Sequence, residues 1–195
     1  METGLDFIHW SVFFNLLYML GLSLGLGATV LTGVMFLTSI SDKIITRSEL
    51  RFIKLGSYII WLALLLVVLG SSLLTGTYWQ YYVESDNFLA VITIIVIILI
   101  NGLFFQLKHL PLLKNNLDLY LPDQPIFRKK SIGLYTGQVI FIVSWLFMLI
   151  LEILSVDLYT YGSLMTIYGM AVFLSWIIAM ISLRSFLRSR PHLQV

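Results

Sequence analysis

A chain of 195 residues in which 59% are hydrophobic and only 11% charged has too little polar surface to cover a water-soluble globule, which excludes an ordinary soluble domain. It has no cysteine, which excludes disulfides, thiolate metal sites and iron–sulfur ligation. The net charge of +2 says little as a total, because the message lies in where the charges fall.

About 20 apolar residues are needed to cross the hydrocarbon core as a helix, and five stretches satisfy this: about 8–38, 50–77, 87–109, 133–156 and 161–187. The start, Met1 to Asp6, has no basic region, and the apolar stretch behind it is too long for a signal-peptide core. Residues 5–38 are therefore read as a retained first span, bent or tilted around Gly21, Gly25, Gly27 and Gly33. Ser11, Asn15, Tyr18, Gly25, Ala28 and Thr32 follow helical spacing and form a stripe expected to face protein, with Gly21 and Gly25 allowing close packing. Thr46-Arg47-Ser48-Glu49 has the S/T-x-x-E form of a capping box and starts the second helix near residue 47.

Pro111 is expected to stop the third helix. Its stretch Val91 to Ile100 is so uniformly apolar that most of its circumference reads as lipid-facing, leaving Asn101, Gly102 and Gln106 as a buried edge. The fourth span sets Gln138, Trp145 and Glu152 seven apart on one seam. The fifth carries Ala171, Ser175 and Ala179 as a close-packing line.

All twelve Lys and Arg residues lie in three stretches: Lys43 to Lys54, Lys108 to Lys130, and Arg184 to Arg190. The connections 76–88 and 155–163 contain none. Under the positive-inside rule this puts odd-numbered crossings' ends in the cytoplasm, with the N-terminus outside and the C-terminus inside. The expected fold is thus all-α: a polytopic integral membrane protein of the cell inner membrane, whose five transmembrane helices form one bundle and a single domain over 1–195. On the outer side lie Glu2, Asp6, Glu84, Asp86 and Asp157, with an aromatic belt of Tyr78, Trp79, Tyr81, Tyr82, Tyr159 and Tyr161.

Ionisable groups inside a membrane are costly and therefore suspect as functional. Glu152 falls about 6 Å below the outer end of the fourth span, and Asn15, Ser71, Ser72 and Tyr168 about 10 Å below it, at 1.5 Å per residue. With His9 at the mouth they suggest an outward polar pocket. Asp6 and His9, spaced i,i+3, supply two of the ligands a metal would want, and Met19, Met148 and Met165 permit a copper(I) reading, although methionines at such spacing more often pack. Asn101, Gln106, Thr136 and Gln138 are suited to hydrogen bonds between helices or to a quinone-like ligand. No phosphate loop, nucleophile elbow, HExxH or dinucleotide-binding glycine pattern is present.

His9, the run Gly21-Leu-Ser-Leu-Gly-Leu-Gly-Ala-Thr29, and Ser48-Glu-Leu-Arg-Phe-Ile-Lys-Leu-Gly56 leading into Trp61 resemble, over residues 5–110, small bacterial membrane proteins of the copper-resistance-D-like kind. Some of these are associated with cytochrome-b5-like haem domains. The resemblance implies a redox or metal-related role with His9 as the carried-over residue. The chain departs from that pattern because His109 lies at the opposite face and His192 in the tail, so no second histidine shares the depth of His9 for a bis-histidine haem.

The expected function is a small binding or transport protein without autonomous catalysis. Its ligand or ion site would draw on His9, Asn15, Glu152, Tyr168, Ser72 and Asp6, with any metal unknown and no cofactor required. The alternatives are a structural or assembly subunit and a haem- or quinone-associated redox subunit. Expected partners are membrane lipids and other membrane subunits or a second copy; nucleic acid is not expected.

Overall fold

The structure is a computed structural model that describes residues 2–41, 43–77, 84–121, 124–154 and 159–188, with side chains described over 10–39, 43–76, 84–121, 124–127, 129–153 and 159–184. Its helices are α1 (Glu2–Ser41), α2 (Arg47–Thr77), α3 (Asp86–Phe104), a π-helical turn (Phe105–His109), α4 (Leu110–Asn115), α5 (Pro125–Leu154) and α6 (Tyr161–Arg188). Among the described residues, five helical stretches are long and apolar enough to cross a membrane, the third running from α3 through the π turn into α4. This is the architecture of a multi-pass membrane protein.

The first helix packs along α2 and, on another side, against α5, which also touches α3 and α6. Small residues permit these approaches. A Cβ on Gly21 would lie 2.8 Å from the backbone nitrogen of Val67, and one on Gly25 would overlap the indole of Trp145. Of the stripe expected on α1, Tyr18, Gly25, Ala28 and Thr32 are buried, while Ser11 is partly exposed and Asn15 exposed. On α6, Ala171 and Ala179 pack against the two hydrophobic clusters, while the partly exposed Ser175 sits between them.

Two expectations are corrected. Helix three does not end at Pro111. The chain widens by one residue, so that Leu110 donates to the Phe105 carbonyl, and Pro111 falls in the first turn of α4, where its missing N–H interrupts no helical bond. The fourth span also begins earlier than residue 133, since α5 starts at Pro125. Most of α3 does face outward, as the sequence suggests, and Ala90, Ile94, Ile95, Ile98 and Gly102 form the buried stripe against its neighbours.

The capping box forms as the sequence implies. Thr46 N donates to Glu49 Oε2 at 2.8 Å and Glu49 N donates to Thr46 Oγ1 at 3.3 Å. Beside it the α1–α2 turn is clasped by the loop after α4: Asp118 N donates to Ile45 O and Leu121 N to Lys43 O, both at 2.9 Å. Lys43 and Asp118 take φ of 60° and 57° to make this clasp. It covers a second cluster, with Ile45, Leu113, Leu121 and Phe127 fully buried beside Phe36, Leu134 and Leu183. The clasp, the end of α6 and the flanking Lys and Arg residues together make one basic end of the bundle.

Candidate ligand pocket

At the other end, four elements leave a cavity of about 420 Å³, within the range of small-molecule sites. It is lined by Ser11, Asn15 and Tyr18 of α1, Ser71 and Thr75 of α2, Ser85, Asn87 and Phe88 at the start of α3, and Leu151 and Glu152 of α5. On α1 these residues recur at i, i+4 and i+7, and on α2 at i and i+4, so one polar face of each helix meets the cavity.

The lining is rich in acceptors. Ser71 Oγ donates to Val68 O at 3.1 Å and Thr75 Oγ1 to Ser71 O at 2.7 Å. With their protons committed to their own helix, both hydroxyl oxygens offer the cavity only lone pairs. Asn87 Oδ1 is buried without a hydrogen-bond partner, a costly state for an acceptor. Ser85 caps α3 by accepting from Phe88 N at 3.4 Å. Among the described lining residues the Glu152 carboxylate is the one formal charge, and they include no Lys, Arg or His.

Of the residues named from sequence, Asn15 and Glu152 share this cavity. Ser72 and Tyr168 do not. Ser72 is exposed, because one residue along a helix turns the side chain by about 100° away from its neighbour Ser71. Tyr168 is buried, with its hydroxyl 2.8 Å from Ser144 Oγ and its ring edge-on to Phe147; it faces α5 rather than the cavity. Asp6 and His9 belong to α1, but their side chains lie outside the described residues, as do Tyr78, Trp79, Tyr81, Tyr82 and Asp157. Among the described residues no three His, Cys, Asp or Glu gather in a metal-holding group. Sequence reasoning missed Thr75, Ser85 and Asn87. The first lies one turn from Ser71, and the other two sit at a helix start whose direction depends on how α3 packs.

Below the cavity Leu22, Val67, Ile94, Trp145 and Met148 are fully buried and close the bundle. Beneath them four side-chain hydrogen bonds tie the helices together, while Thr29 Oγ1 is buried without a partner. Asn101 Nδ2 donates to Gly137 O at 2.8 Å, Gln138 Nε2 to Thr29 O at 3.2 Å, Gln106 Nε2 to Ser57 Oγ at 3.0 Å, and Trp176 Nε1 to Thr136 Oγ1 at 3.0 Å. These bonds join α3 to α5, α5 to α1, the π turn to α2, and α6 to α5. A quinone-like ligand here would have to break them. The methionines follow packing: Met148 is in the core, and Met19 and Met165 lie against it.

Compared with known proteins, the chain matches no family model, no curated protein and no solved structure.

Proposed function

We propose that this protein binds, and in a transport cycle conveys, a small cation bearing N–H donors, of the primary-ammonium class, through the Glu152 pocket. The observation that carries the reading is the cavity's chemistry: one carboxylate, the unpartnered Asn87 Oδ1 and the Ser71 and Thr75 oxygens, with no basic side chain among the described lining residues. A carboxylate with surrounding acceptors suits an ammonium, whose three donors need three acceptors. In this reading the N-terminus is outside, the basic end faces the cytoplasm of a cell-membrane protein, and the pocket opens outward. The buried layer at Trp145 makes binding the resting state, and passage requires that layer to part.

Calorimetric titration of the detergent-purified protein with small alkylammonium ions tests this. Saturable one-to-one binding that Glu152→Gln weakens at least tenfold is expected. Equal heats from both proteins would sink the proposal.

An assembly role is the second reading. It is favoured by α6, whose Ile167, Met170, Phe173, Leu174, Ile178 and Ile181 are exposed along one helix and would suit a neighbouring helix as well as lipid. The mass of the gently extracted complex separates the two, since a stoichiometric membrane partner would favour assembly.

A further inference from the structure

The basic end holds a second site that the pocket does not involve. Between α5 and α6 runs a groove of about 530 Å³ lined by Ile132, Trp176, Ile177, Met180, Ile181 and Arg184, with Leu183 at its floor. The Trp176–Thr136 hydrogen bond fixes the register of these two helices. They are antiparallel neighbours, so stepping from Thr136 back through Ile132 to Lys129 on α5 matches stepping from Trp176 through Met180 to Arg184 on α6. By this register Lys129 on α5 comes to a depth similar to that of Arg184, which lines the end of the groove. Both are exposed, and neither has a carboxylate within ion-pair reach among the described residues. From Trp176 to Arg184 the groove runs about 12 Å along the helix axis at 1.5 Å per residue.

We propose that this groove seats one anionic phospholipid, its phosphate between Lys129 and Arg184 and an acyl chain along Ile132, Ile177 and Ile181. Charge complementarity selects the occupant. An apolar trough with Arg184 at its end and Lys129 at similar depth, neither ion-paired among the described residues, fits a chain that ends in an anion, and a second helix of this composition would leave both cations unmatched. Arg184 adds a planar fork suited to phosphate oxygens, while Lys129 contributes a point charge.

The test is native mass spectrometry of the delipidated full chain in detergent, titrated with phosphatidylglycerol and with phosphatidylcholine of the same acyl chains. One phosphatidylglycerol should bind more tightly than phosphatidylcholine. K129Q and R184Q should each weaken it roughly fivefold, and the pair together roughly 25-fold. I181W, which fills the exposed groove and leaves both charges in place, should also displace the lipid. R51Q/K54Q removes as much charge from the same end on α2 and should change nothing. Equal binding of the two lipids, equal loss in the α2 control, or full retention by I181W would each overturn the proposal.

Discussion

Glu152 has no hydrogen-bond or ion-pair partner among the described residues, yet it lines a cavity with Asn15 and Asn87. A charge-assisted hydrogen bond contributes about 1.5–3 kcal/mol, so Glu152→Gln should weaken ammonium binding about 10- to 100-fold while leaving thermal unfolding unchanged. Asn87→Leu makes a different forecast. Its buried oxygen is unpartnered in the free protein, so the substitution should raise the unfolding temperature slightly and still reduce binding, a pairing that separates a ligand site from a packing site. Gly25 is a packing site: a side chain there meets the Trp145 indole, and overpacking of this kind costs about 1–3 kcal/mol. Gly25→Leu should therefore unfold at lower denaturant than Gly27→Leu, because nothing lies within 4 Å of a Cβ at Gly27.

Among the elements, the inter-helix hydrogen bonds and the caps set the next scale of effects. Asn101→Leu removes the bond to Gly137 O, and such bonds within membranes average about 0.6 kcal/mol. Its cost in reversible detergent unfolding should fall below that of Gly25→Leu. Thr46→Ala removes the hydroxyl half of the capping box, the bond that Thr46 Oγ1 accepts from Glu49 N, while the bond that Thr46 N donates to Glu49 Oε2 is kept; it should cost about 1 kcal/mol. The helices themselves were legible because apolar length marks a span and Thr46-Arg47-Ser48-Glu49 marks a start. Which way α3 faces was not, since a run from Val91 to Ile100 with almost no polar residue has no contrast from which to read a face. The π turn was hidden for a related reason. Pro111 signals a break, but a widened turn that absorbs a proline leaves no residue signature of its own. The clasp of Ile45 to Asp118 is a tertiary contact between loops far apart in the chain. In the pocket, counting along helices gave depth, which placed Asn15, Ser71 and Glu152 together; it could not give azimuth, and Ser72 and Tyr168 turned elsewhere.

For the whole molecule, the two ends divide the chemistry. One end gathers the clasp, the cations and the proposed lipid groove, and the other an acceptor-lined cavity with no basic side chain among its described lining residues, with the buried Trp145 layer between them. The chain has no cysteine, so any introduced thiol reports a single place. Thr75→Cys puts that thiol on the cavity wall with a small change in side-chain size. The most direct measurement is its labelling in intact cells by a membrane-impermeant maleimide, with and without a small alkylammonium ion, in the parent background and with Glu152→Gln added. Labelling from outside, protection by the ammonium, and loss of that protection in the Glu152→Gln background are the expected results. Labelling only after the cells are opened, or protection that persists without the carboxylate, would contradict the proposed outward-facing site at Glu152.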